Sequence, residues 1–175
     1  MNNKFFNKEE LEELLEEFCL RASREGFAGI ISLVGGAAIL LAYDSACAQT
    51  IDIDALYPHN KTLEKIILEI SKEREIQPDW FNGAVEEFVP YGVEEAWVHY
   101  KEIYGVTVRV ASAELLLAMK LSAGRPLKDF RDLTILIRLL EISSVDECLR
   151  ILKKHKIGRR ISEDTWDHVR EILKF

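Results

Sequence analysis

Asp52 and Asp54 are separated by one residue within Thr50-Ile51-Asp52-Ile53-Asp54-Ala55-Leu56. The run alternates with period two, the signature of a strand, so both carboxylates project from one face while Ile51, Ile53 and Ala55 enter a core. Two carboxylates side by side repel each other unless a cation lies between them. They therefore suit a hard dication, Mg2+ or Mn2+, shared with the phosphates of a substrate. A solvated strand face is the plain alternative for an isolated Asp-x-Asp. Upstream, Ile30 to Val34 reads as a buried strand, Gly35-Gly36 follows, and Ala37 to Tyr43 reads as a helix. Two glycines at a strand-to-helix junction let backbone N–H groups approach a phosphate closely. Alone they would equally make a tight turn. The order of the parts (strand, glycine pair, short helix, strand with two aspartates) is what makes the signal specific.

Other charged residues have open readings. Lys120 lies inside Leu115-Leu116-Leu117-Ala118-Met119-Lys120-Leu121, where an ammonium needs either an anion or a path to solvent. Arg109, on the alternating strand Val106 to Val110, either binds a phosphate or pairs with Asp52 or Asp54. Arg125–Asp129 and Lys128–Asp132 have the i, i+4 spacing of helix-surface pairs. Lys153-Lys154-His155-Lys156 with Arg159-Arg160 is a basic cluster in an acidic chain. It either touches an RNA acceptor or partner protein, or serves the C-terminal dipole of its helix.

The elements that must position these groups are mostly legible. Asn7 and Glu10 form a capping-box pattern ahead of Leu11, Leu14, Leu15 and Phe18, with Gly26 as a stop. Leu63, Ile66, Ile67 and Ile70 mark a second amphipathic helix. Between Asp79 and Tyr104 the pattern is weak, with Phe88-Val89 and parts of Trp97 to Tyr104 as candidate strands. Ser112 caps an apolar helix from Ala113 to Ala123, ended by Gly124, and Pro126 opens another that runs through Leu127 to Leu140. Ser144 and Glu147 suggest a capping box before Cys148 to Lys154, and Ser162 opens a last helix bearing Trp166, Val169, Ile172 and Leu173. The expected class is α+β: a small mixed β-sheet flanked by helices over residues 1–111, then a C-terminal helical module, residues 112–175, packed on that core.

A chain of 175 residues with 48% hydrophobic and 30% charged residues is ordinary for a globular protein with its own core. A net charge of −7 and a pI near 5.2 argue against charge-driven binding to duplex nucleic acid, though not against a nucleotide that arrives with its metal. Cys19, Cys47 and Cys148 are dispersed and include no Cys-x-x-Cys pair. Reduced thiols in a cytoplasmic protein, without disulfides, are expected. The four histidines have no zinc-ligand spacing. No secretory leader is read at the acidic N-terminus. Gly26 to Tyr43 is nearly free of polar side chains, but Gly35-Gly36 splits it, so strand, turn and helix are expected there rather than a membrane span.

In this order the parts resemble the nucleotidyltransferases of the DNA polymerase β-like superfamily, in particular the small bacterial branch near the AbiEii-type toxins of toxin–antitoxin systems. The likeness is carried by Leu33-Val34-Gly35-Gly36-Ala37-Ala38, Thr50-Ile51-Asp52-Ile53-Asp54 and Trp80-Phe81-Asn82-Gly83-Ala84-Val85. It continues through Val108-Arg109-Val110-Ala111-Ser112, Leu116-Leu117-Ala118-Met119-Lys120-Leu121, Ala123-Gly124-Arg125-Pro126 and Lys128-Asp129-Phe130-Arg131-Asp132-Leu133. The resemblance implies a nucleotidyltransferase fold and a Mg2+-dependent enzyme that moves a nucleotide from an NTP to an RNA or protein acceptor. Asp52, Asp54 and Lys120 would be catalytic, with the two aspartates holding the metal. Gly35, Gly36, Thr50, Arg109, Arg125 and Asp129 would bind the nucleotide, and Asp132 would join Asp129 in tying the helical module to the site. A cognate antitoxin is the implied protein partner.

Two departures matter. Related enzymes carry Gly-Ser where this chain has Gly35-Gly36, and they place a third carboxylate on a later strand, where this chain offers Thr107 and Arg109. Glu86, Glu87 or Glu102 is the candidate substitute for that carboxylate, with no position fixed by the pattern. The alternative is therefore a catalytically impaired nucleotidyltransferase fold that binds nucleotides or a toxin–antitoxin partner.

Overall fold

The computed structural model describes residues 4–43, 49–158 and 160–174. Cys47 and Arg159 lie outside the described residues. The chain divides into two compact units: Met1–Glu86 with Trp97–Ala111, and Glu87–Ala96 with Ser112–Phe175.

The first unit is built on five strands: β1 (Ile30–Leu33), β2 (Ile53–Leu56), β3 (Phe81–Asn82), β4 (Trp97–Ile103) and β5 (Val106–Ala111). They lie in the order β3-β2-β1-β5-β4. The sheet is mixed: β1 runs parallel to β5 but antiparallel to β2, β2 is parallel to β3, and β4 is antiparallel to β5. Helices α1 (Lys8–Arg24), α2 (Gly35–Ala42) and α3 (Lys61–Glu73) belong to this unit. The Asn7–Glu10 capping box is present in full. One face of the central strands is apolar: Ile31, Leu33, Ile53, Ala55, Val108 and Val110 are buried, as are Phe18 of α1 and Leu63 of α3.

The second unit contains α4 (Ala113–Ala123), α5 (Pro126–Leu139), α6 (Val145–Lys154) and α7 (Glu163–Ile172). Ser112, Ser144 and Ser162 each accept a backbone N–H at the start of their helix, and Gly124 closes α4 in the left-handed region at φ +63°. Leu116, Leu133, Leu136, Ile151, Val169 and Ile172 are among its buried side chains. No described helix is long and apolar enough to cross a membrane.

Three expectations need correction. The strand expected from Thr50 begins only at Ile53, because Thr50 pairs instead with Phe6 in an isolated bridge. Ile51 is consequently half-buried rather than in the core. Phe88-Val89 is not a strand: Glu86–Phe88 forms a 3-10 turn, and Phe88 is 58% exposed. The reciprocal contact of the second capping box also shifts by one residue, since Glu147 accepts from Ser143 N rather than from Ser144 N.

Candidate functional site

Register decides which side chains share a face. Ser32 on β1 stands opposite Leu56 on β2 and opposite Arg109 on β5. Asp54 lies two residues before Leu56, so Asp54, Ser32 and Arg109 project from the same face, opposite the apolar one. Asp54 and Arg109 flank the central strand from its two sides.

The glycine junction meets this face at Asp54. Val34 N donates to Asp54 O at 2.9 Å, which brings the end of β1 against the start of β2. Gly35 has φ +65°, a conformation a side chain would strain. A Cβ placed there would stand 2.7 Å from Asp54 Oδ2. Both the backbone angle and the carboxylate therefore require glycine. At Gly36 a Cβ would stand 3.0 Å from Thr50 Oγ1. That hydroxyl donates to Asp52 O at 3.1 Å and lies 3.4 Å from Asp52 Oδ1. Asp52, Thr50, Gly36, Gly35 and Asp54 are thus one continuous cluster. Helix α2 starts inside it with no side-chain cap, and its first N–H groups, like those of any helix, have no intrahelical acceptor.

Neighbouring residues hold the cluster in place. Gln77 Nε2 donates to Ile51 O and also to Lys4 O at 3.2 Å, fixing the segment ahead of β2. Tyr43 Oη donates to Ala111 O at 2.8 Å, anchoring the end of α2 to the end of β5. Arg109 Nε donates to Ser32 Oγ at 2.6 Å, and its guanidinium lies 4.8 Å from the centre of the Trp97 ring. A hydrogen bond on one edge and an aromatic face beneath fix the orientation of the cation. Sequence reasoning missed Ser32, Gln77 and Trp97. Ser32 carried a signal, as the lone hydroxyl in Ile30-Ile31-Ser32-Leu33-Val34.

In the second unit, the residues expected beside the phosphates form a network among themselves. Lys120 Nζ sits 2.7 Å from Asp129 Oδ1 and 2.6 Å from Asp132 Oδ2. Asp129 is buried and also accepts from Arg125 Nε at 3.2 Å. Burial alone would lower the Lys120 pKa, but the Asp132 and Asp129 charges and their hydrogen bonds outweigh it and hold the pKa above its ordinary value. The anion that Lys120 requires is therefore supplied by α5. Arg125–Asp129 forms as its spacing suggested, whereas Asp132 turns to Lys120 and Lys128 makes no described ion pair.

The chain matches no family model, no curated protein and no solved structure.

Proposed function

We propose that the Asp52–Asp54 cluster binds a nucleoside triphosphate with Mg2+ or Mn2+, and that the chain is a nucleotidyltransferase that passes the nucleotide to a hydroxyl of RNA or protein, releasing pyrophosphate. The nucleotidyltransferase fold and the place in a toxin–antitoxin pair belong to this proposal, and the mixed α+β architecture is compatible with it. The observation that carries the reading is the approach of Asp54 to Gly35: a carboxylate, an uncapped helix start and an obligatory glycine meet at one point. An anion cannot sit beside Asp54 without a cation, and the helix start has N–H groups for phosphate oxygens.

The donor set fits such a cation. Asp52 and Asp54 offer hard carboxylate oxygens, and phosphate oxygens and water would complete the coordination of the ion. Asp52 and Asp54 would hold it; once bound, it neutralises phosphate charge and makes the phosphorus more electrophilic. Gly35 and Gly36 leave room for the phosphates against the backbone, and Thr50 orients Asp52. Arg109, clamped by Ser32 and Trp97, faces the same side of the sheet and offers a guanidinium to a phosphate oxygen.

Arg109 also supports a second reading. A guanidinium stands on β5 where another carboxylate would be required to hold a second metal, which favours a protein that binds the nucleotide without transferring it. Thermal unfolding with each NTP and Mg2+ tests both. Ligand should raise Tm by mass action, and Asp52→Asn or Asp54→Asn should remove that rise in variants that still unfold cooperatively. Transfer of label from an NTP to RNA or to the protein supports the transferase. A Tm rise without labelling selects the second reading, and no rise with any NTP overturns both.

A further inference from the structure

The second unit carries a surface that the proposed function does not use. An open cavity of about 620 Å³ is rimmed by Lys153, Lys156 and Arg160, with Leu149, Ile157 and Trp166 among its apolar lining. Glu163, also on the rim, is engaged by Arg170 at 2.8 Å. None of the three rim cations pairs with a described carboxylate, whereas the adjacent Lys154 is turned away to Glu114.

Beside this basic socket lies its chemical opposite. The segment Glu87–Ala96 belongs to the same unit and carries Glu87 and Glu95 around Phe88, 58% exposed, and Tyr91, 96% exposed. The two features adjoin: a Cβ on Gly92 would stand 3.3 Å from Lys156 Nζ. A nucleic-acid strand or an acidic peptide drawn to the lysines would meet these glutamates, so a ligand of one charge is disfavoured. A surface that holds both a cationic apolar socket and an acidic aromatic projection is complementary to itself, as a twofold interface must be.

We propose that this surface joins two copies of the chain, with Tyr91 and its flanking glutamates from each copy seated in the cavity of the other. A cavity of this size accepts a whole aromatic side chain, and the buried ring supplies the apolar contact that the surrounding charges orient.

Sedimentation velocity on the full chain, from micromolar to hundreds of micromolar, tests the proposal. A reversible dimer is expected at about 10 mM salt and should weaken about tenfold or more towards 1 M, where the Debye length shrinks from about 30 to 3 Å. Tyr91→Ala should weaken it by a similar factor. The pocket variant Lys153→Glu/Arg160→Glu and the loop variant Glu87→Lys/Glu95→Lys should each be monomeric, with circular-dichroism melts like the parent. Mixed, the two should form a heterodimer, because the reversed loop then faces the reversed pocket while the parent loop faces the parent pocket. A chain that stays monomeric throughout, a dimer indifferent to both variants, or a mixture that stays monomeric would overturn the proposal. So would salt-sensitive binding of an oligouridylate at the cavity without self-association.

Discussion

At the scale of single residues, the cluster depends on Gly35 more than on any other position, because two independent constraints meet there. Replacing it with alanine places a side chain at φ +65°, at a cost of about 1–2 kcal/mol. It also sets a Cβ 2.7 Å from Asp54 Oδ2. Gly35→Ala should therefore lower the unfolding midpoint and abolish the nucleotide-induced Tm rise together. Gly36→Ala should cost less stability, since its only close neighbour is the Thr50 side chain and its φ is not positive. Equal losses for the two variants in paired thermal titrations would contradict this account. Asp54 and the glycine junction were legible in the sequence because period and order set their geometry, whereas Asp52 lies ahead of β2 and outside its alternation. Trp97 and Gln77 were not, since they act through partners 12 and 26 residues away (Arg109 and Ile51), and nothing local in the sequence brings those pairs together.

At the scale of elements, the Lys120–Asp129–Asp132 network joins α4 to α5 around the buried Asp129 carboxylate. Removing Lys120 leaves the buried Asp129 with only the half-exposed Arg125 as partner, at a cost of about 3 kcal/mol. Lys120→Met should thus show a large drop in the urea midpoint, whatever its effect on nucleotide affinity; a midpoint within experimental error of the parent would refute the structural role. The helices were legible because amphipathic periodicity and serine caps are local signals. The short strands were less so: Thr50 leaves the β2 pattern to meet Phe6, and β3 has only two residues. A second prediction belongs to the α4–α6 contact. His155, at the end of α6, is buried with Nε2 3.6 Å from Glu114 Oε2, too far for a hydrogen bond, and Lys154 engages the same carboxylate. Burial pushes the His155 pKa below its ordinary value, against the pull of Glu114. A histidine depressed in the folded state binds its proton more readily when unfolded. The stability it contributes is present above about pH 6.5 and is lost as pH falls through the lower folded value. His155→Gln should flatten urea midpoints between about pH 7 and 5; an unchanged slope would locate that sensitivity elsewhere.

At the scale of the whole molecule, the α+β class followed from alternating strands that cease near Val110 and helical periodicity beyond it. The recruitment of Glu87–Ala96 to the second unit did not, because membership there rests on contacts distant in sequence, such as Ser112 N donating to Ala96 O at 2.8 Å. Each unit contains one described buried thiol: Cys19 in α1 and Cys148 in α6. Burial and the nearby Glu16 push the Cys19 pKa up to about 12, while burial and Glu147 push Cys148 up to about 11. Both are protonated at neutral pH and shielded from reagent, so each reacts only when its surroundings open. Alkylation followed residue by residue by mass spectrometry then reports the opening of each unit separately. Lys120→Met, which disrupts the network of the second unit, should accelerate labelling of Cys148. Gly35→Ala, at the start of the helix that packs on α1, should accelerate labelling of Cys19. Bound nucleotide with Mg2+ should slow Cys19 labelling in the parent protein by the factor that its Tm rise implies, because a ligand held by the folded first unit lowers the population of its open state. Cys19 labelling that stays unchanged at saturating nucleotide would mean that the ligand is not held by the Asp52–Asp54 cluster.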